Sequence, residues 1–107
     1  MKKPPRIKIP ESAKVGEVIE IRTLATHIME TGKRKDARGK TIARDIIHTF
    51  TATFEGKPVF SADLGPGIAA NPYIAFYLKV PGPGAIEMTW LDDSGAKIVE
   101  TVALNVV

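Results

Sequence analysis

Apolar and polar residues alternate with a period of two along most of this chain, and clusters of Gly and Pro cut the alternation into short segments. Successive side chains of a strand point to opposite faces, so each segment predicts one strand with a buried side and a wet side. Arg6–Ile9 forms a short first strand closed by Pro10, and Glu17–Thr26 follows Val15-Gly16 with Ile19, Ile21 and Thr23 on one face. Over Asp45–Glu55, Ile46, His48, Phe50, Ala52 and Phe54 share the apolar face while Thr49, Thr51 and Thr53 share the other. Glu55-Gly56 reads as a tight hairpin turn into Pro58–Leu64. After turn signals at Gly65-Pro66-Gly67 and Ala69-Ala70-Asn71-Pro72, Tyr73–Val80 sends Ile74, Phe76, Leu78 and Val80 inward. Pro81-Gly82-Pro83-Gly84 ends that strand, and Ile86, Met88 and Trp90 line the next. A turn at Asp92-Asp93-Ser94-Gly95 leads into the last strand, from Lys97 to about Val107, with Ile98, Val102, Leu104 and Val106 in register.

About seven strands and no convincing helix predict an all-β, immunoglobulin-like sandwich, with residues 1–107 forming a single domain. The disulfide and the buried tryptophan on the third strand that mark antibody domains are missing, so the likeness is one of architecture. One stretch breaks the strand pattern. From His27 to Arg44 the chain is polar and basic, and compact folds seldom keep so long a loop without a use for it.

The charge is unevenly spread. Residues 1–57 carry a balance of +6 and residues 58–107 a balance of −3, against +3 for the whole chain. Lys33, Arg34, Lys35, Arg38, Lys40 and Arg44 face a single acid, Asp36, within twelve residues. Such density suits phosphates, an acidic protein surface or a small oxyanion. Without aromatic residues inside it, the loop is poorly equipped to stack single-stranded nucleic acid. The bland alternative is a solvated loop with no partner.

Candidate chemistry is sparse. With no cysteine there is no disulfide, no thiol reaction and no thiolate ligand. His27 and His48 are the only imidazoles, and with Met29 they could form a small metal site. A histidine satisfied inside the core is the more common outcome at such positions. Ser12, Ser61 and Ser94 lack a nucleophile elbow, and Asp92-Asp93 before Ser94-Gly95 reads as turn chemistry rather than an acid pair. Nothing points to catalysis or to a cofactor. The basic start, Met1-Lys2-Lys3-Pro4-Pro5-Arg6, precedes no apolar stretch, so no signal peptide and no membrane span are expected; taken alone, this reads as cytoplasmic.

Several short motifs in a fixed order carry a resemblance. They are Pro5–Pro10, His27-x-Met29-Glu30-Thr31-Gly32, Arg34-Lys35-Asp36-Ala37-x-Gly39-Lys40, Gly56-Lys57-Pro58-Val59-Phe60, Ala70-Asn71-Pro72-Tyr73 and Thr89-Trp90-x-Asp92-Asp93-x-Gly95. Together they resemble the SoxZ family, the small subunit of the SoxYZ carrier of bacterial thiosulfate oxidation. Ile28 and Ala43 stand where that family usually has Pro, and Glu55 where it has Asn before Gly56.

The resemblance implies a non-catalytic, cofactor-free sandwich that forms a heterodimer with SoxY, whose cysteine carries the sulfur intermediates. It implies transient docking of the other Sox enzymes and no nucleic acid or membrane partner; an apolar interface left without SoxY could also pair with a second copy of the isolated chain. It further implies a periplasmic destination reached by co-export with SoxY, so the missing signal peptide fits a periplasmic protein. Candidate partner-binding or loop-shaping residues are His27, Met29, Lys33, Arg34, Lys35, Arg38, Lys40, Asn71, Pro72 and Tyr73. Two other readings remain: a basic-loop module for nucleic acid or acidic proteins, and a small metal-binding domain using His27, Met29 and His48.

Overall fold

The computed structural model describes residues 4–65, 67–68 and 70–107. The basic residues 1–3 and the turn signals at Pro66 and Ala69 lie outside the described residues. Seven strands form in the order expected: β1 (Arg6–Lys8), β2 (Val18–Leu24), β3 (Ile47–Phe54), β4 (Lys57–Asp63), β5 (Tyr73–Lys79), β6 (Gly84–Asp92) and β7 (Lys97–Leu104). They make two antiparallel sheets, β1-β2-β5 and β4-β3-β6-β7. This is an all-β sandwich of immunoglobulin-like type.

The alternation places the core where the sequence puts it. Ile19, Ile21 and Thr23 of β2, Phe76 and Leu78 of β5, and Ile86, Met88 and Trp90 of β6 are all buried between the sheets. Phe50 sits at the centre, with ring centroids 5.0 Å from Trp90, 5.9 Å from Phe76 and 6.0 Å from Phe60. One ring thus ties both sheets together in tilted contacts of the favoured kind.

The clean alternation fails at the start of β3. Ile46 and Ile47 are both buried, and the pairing with β6 jumps from Ile47↔Asp92 to Thr49↔Leu91. His48 is the extra residue of this bulge. It is therefore half-buried, with Nδ1 2.7 Å from its neighbour Thr49 Oγ1, instead of lying on the apolar face of the strand.

The hairpin between β3 and β4 turns through Glu55 (φ 47°) and Gly56 (φ 82°). Two positive φ values define the turn whose twist suits a hairpin, normally built from Asn-Gly. Glu55 also accepts the Ala85 N–H at Oε2 (3.0 Å), a bond that helps to hold a side chain at a position that favours Asn.

The molecule measures 58 × 22 × 19 Å. A nine-residue strand spans only about 30 Å, so much of the long axis comes from segments beyond the sheets. The longest of these is the connection between β2 and β3.

Candidate functional site

The β2–β3 connection is not a slack loop. Glu30 and Asp45 exchange two backbone hydrogen bonds of 2.8 Å, Ile42 N–H donates to Arg34 O (2.8 Å), and Lys35 faces Thr41 across an antiparallel bridge. The segment is a narrow two-stranded ribbon, an arm exposed along most of its length. Its tip is a turn closed by Asp36, whose Oδ1 accepts the N–H groups of Arg38 (2.9 Å) and Lys40 (3.0 Å). Asp36, the one acid among the cations, is thus engaged with backbone rather than with a cation.

Two ion pairs brace the base. Arg34 donates twice to Glu30, at 2.6 and 3.1 Å to Oε1, and Arg44 grips both oxygens of Asp93 at 2.8 and 2.9 Å. The hydrogen bond from Arg34 holds the Glu30 carboxyl below the ordinary carboxylate range. Arg44, followed by the Ile46 N–H, does the same for Asp93. Gly32 (φ 84°) passes beneath Arg44, where an added Cβ would meet the Arg44 Cβ at 3.0 Å. Only glycine suits both that backbone conformation and that approach.

The arm is joined to the sandwich through His27, which is 6% exposed. Its backbone pairs with Asn71: His27 N–H donates to Asn71 Oδ1 (3.0 Å), and Asn71 N–H donates to His27 O (2.8 Å). Met29 N–H donates to the ring at Nδ1 (2.9 Å). That nitrogen must offer its lone pair, so in the neutral ring the proton sits on Nε2. Nε2 lies 3.2 Å from Asp92 Oδ2, and the hydrogen bond is donated by the histidine. Asp92, itself 4% exposed, uses Oδ1 to accept Ser94 N–H, Ser94 Oγ–H and Ala96 N–H at the β6–β7 turn. One carboxylate therefore shapes a hairpin and anchors the arm together.

Met29 completes the joint. It has φ 53°, is 4% exposed, and its sulfur accepts the Ile47 N–H at 3.3 Å. Left-handed backbone is costly for a non-glycine residue, by about 1 kcal/mol or more. The bonds on either side of Met29 hold it there.

His27, Asp45 and Asp92 offer three ligand atoms within 4.8 Å of one another, a set that could in principle hold a metal ion. The ring orientation opposes this use, because Nε2 carries the proton and faces the carboxylates as a donor. A metal there would drive the proton to Nδ1, against the Met29 N–H. The metal set foreseen in the sequence does not assemble: Met29 sulfur and His27 Nδ1 are turned to backbone amides, and His48 bonds to Thr49. Asp45 Oδ1 lies 3.9 Å from His27 Nε2 and is buried without a hydrogen bond.

The candidate residues thus fall into two groups. His27, Met29, Asn71 and Pro72 build the joint, Pro72 being buried with its carbonyl accepting Ala25 N–H at 3.1 Å. Arg34 braces the arm, while Lys33, Lys35, Arg38 and Lys40 are exposed and make no ion pair among the described residues. Tyr73 is 59% exposed on β5, on the outer face of the three-stranded sheet. Sequence reasoning missed Glu30, Arg44 and Asp45 as structural partners, and saw Asp92 and Asp93 only as turn residues.

Replacing His27 with Ala should cost about 2–4 kcal/mol in urea unfolding, because it removes the acceptor of the buried Met29 N–H and a donor to the buried Asp92 carboxylate. Asp45→Asn should leave stability within about 0.5 kcal/mol or raise it, since it removes a carboxylate whose buried oxygen has no donor. The two base ion pairs involve carboxyls with lowered affinity for protons. Their stabilisation is complete at neutral pH and disappears as pH falls through the ordinary carboxylate range and below. Backbone NMR relaxation of Lys33, Ala37 and Gly39 should report a stiff arm near pH 7 and a loosened one near about pH 2.5.

No curated protein matches this chain in sequence. Among solved structures, a superoxide reductase (neelaredoxin) from Ignicoccus hospitalis superposes with TM-score 0.73 at 18% identity, covering 99% of this chain and 82% of that one. A putative superoxide reductase from Thermotoga maritima gives TM-score 0.74 at 16% identity, covering 100% and 88%. The sulfur carrier protein SoxY from Chlorobium limicola f thiosulfatophilum gives TM-score 0.67 at 13% identity, covering 96% and 78%. Likeness at these identities is a likeness of fold. The family model described as sulphur oxidation protein SoxZ matches residues 7–103, nearly the whole chain, and this protein belongs to the SoxZ family of sulfur oxidation proteins.

Proposed function

We propose that this chain is the non-catalytic subunit of a SoxYZ-type carrier in thiosulfate oxidation. It pairs with a SoxY subunit, whose cysteine bears the sulfur intermediates, and it presents the basic arm to the enzymes that act on them. The observation that carries this reading is the SoxZ match across residues 7–103 in a chain without cysteine. The buried histidine supports the absence of a catalytic role of its own. Both ring nitrogens of His27 are committed to hydrogen bonds inside the protein, so this imidazole offers no free base to a substrate.

The arm supports the docking role. A ribbon braced at its base and closed at its tip holds four cations, Lys33, Lys35, Arg38 and Lys40, clear of the sandwich. Fixed charge of this kind speeds encounter with an acidic surface by roughly tenfold or more, and salt weakens the effect. We place the complex in the periplasm, co-exported with SoxY. A basic module for nucleic acid would use the same four cations, and would need no SoxY.

Co-expression with the SoxY of the same genome should give a one-to-one complex by mass measurement. Changing Lys33, Lys35, Arg38 and Lys40 to Gln should leave that complex intact. It should slow association of the complex with the pathway's enzymes about tenfold at low salt and flatten the salt dependence. Unchanged docking with an unchanged salt slope would remove the arm's role. Failure to pair with SoxY, with tight salt-sensitive binding to nucleic acid, would replace the whole reading.

A further inference from the structure

The three-stranded sheet is one strand shorter than the sheet it faces. On one side the N-terminal segment crosses to β7, where Ala13 bridges Val106. On the other, β5 and β4 are the two edges, and Phe60 of β4 stacks on Phe76 of β5 with centroids 5.0 Å apart. Toward the β3–β4 turn the gap between these edges opens into a groove of about 390 Å³. Phe54, Pro58, Val59, Leu78 and Pro81 line it together with Lys57, Lys79 and Glu55, whose carboxylate accepts the Ala85 N–H.

The direction of the β5 backbone can be read from its ends. Val80 N–H donates to Glu17 O and Ala25 N–H donates to Pro72 O, so the even-numbered residues turn their backbone groups toward β2. Backbone groups alternate along a strand. The N–H and C=O of Tyr73, Ala75, Tyr77 and Lys79 therefore face the open edge.

Proteins normally guard such an edge. β1 has three residues and lies between Pro5 and Pro10. β4 carries Lys57 and Pro58 and pairs with β3 through a bulge. β7 carries Lys97 and Glu100. β5 has Lys79 only at its end and Pro72 and Pro81 only outside it, while its first six residues, Tyr73-Ile74-Ala75-Phe76-Tyr77-Leu78, hold no charge, no Pro and no Gly, and Tyr73 and Tyr77 are 59% and 68% exposed. A six-residue edge without a charge, beside a largely apolar groove, is the geometry of strand addition.

We propose that an extended segment of the SoxY subunit adds to β5 as a fourth strand of the short sheet. This rests on the SoxY pairing proposed above. Its backbone satisfies Tyr73, Ala75, Tyr77 and Lys79, and its alternate apolar side chains fill the groove at Val59 and Leu78. Lys57 and Lys79 suit acidic residues at the end of that segment. In the solved SoxY, 78% of the chain superposes on this sandwich, which leaves about a fifth of its length outside the shared fold to supply such a segment. A β5 edge from a second copy fits less well, because its inward Ile74, Phe76 and Leu78 already belong to its own interior and leave the groove unfilled.

The test uses the full-length complex. A photo-crosslinking phenylalanine analogue at Val59 should join a SoxY peptide, while the same analogue at Thr51, on the outer face of the other sheet, should not. Tyr77→Pro removes an N–H that faces the edge and no bond to β2, so it should keep the fold by circular dichroism and weaken SoxY binding at least about tenfold beyond Tyr77→Ala, which loses the ring alone. An intact complex with no cross-link at Val59 and unweakened Tyr77→Pro binding would overturn the edge assignment and leave SoxY pairing standing. Cross-links between two copies would overturn it in favour of self-association. If the native chain forms no complex with SoxY, the pairing itself falls and the edge assignment with it.

Discussion

A single buried imidazole decides what the β2–β3 connection is. His27 has no exposed nitrogen: Met29 N–H occupies one and Asp92 the other, and its backbone is paired with Asn71. These bonds join the end of β2, the approach to β5 and the β6–β7 turn at one point. Without them a basic segment of about eighteen residues would gain nothing from the sandwich and would lose conformational entropy by staying ordered. With them its two limbs start at a fixed separation, and Glu30–Asp45 pairing can propagate outward.

The rest of the arm follows from charge placement. Of six cations, Arg34 and Arg44 are consumed by Glu30 and Asp93, and the tip acid Asp36 is consumed by the turn. What remains is four cations on a support stiff enough to give them a direction. Exposed ion pairs contribute little to stability one by one. Here their effect is geometric, since each sets the course of a limb. On the function proposed above, a carrier subunit needs surfaces rather than catalytic groups, and the charged arm would serve transient encounters while the open β5 edge would serve a lasting partner.

Much of this was legible in the sequence. All seven strands follow from period-two alternation, and Ile19, Ile21, Phe76, Met88 and Trp90 lie inside as their positions require. The alternation misled at His48, because a bulge adds a residue to β3 and shifts everything before Thr49 by one place; a bulge leaves no periodic signal. The basic cluster was visible, yet its organisation was not. Arg44 finds Asp93 across 49 positions, and His27 finds Asp92 across 65. Such pairings depend on how β3 and β6 lie together, a tertiary fact that local spacing does not encode. Asp92 illustrates the limit, since Asp92-Asp93-Ser94-Gly95 predicts its turn bonds fully and its bond to His27 not at all.

The most direct measurement is amide hydrogen exchange on the intact chain at neutral pH. The amides of Met29, Glu30, Ile42, Asp45 and Asn71 all donate to partners that exist only if the joint and the ribbon are formed. They should exchange far more slowly than the unpaired amides of an unstructured peptide, with Met29 and Asn71 the slowest of the five. Exchange of all five at unstructured rates, beside a protected β3 and β6, would mean that the sandwich folds without organising the arm, and the account built on His27 would be wrong.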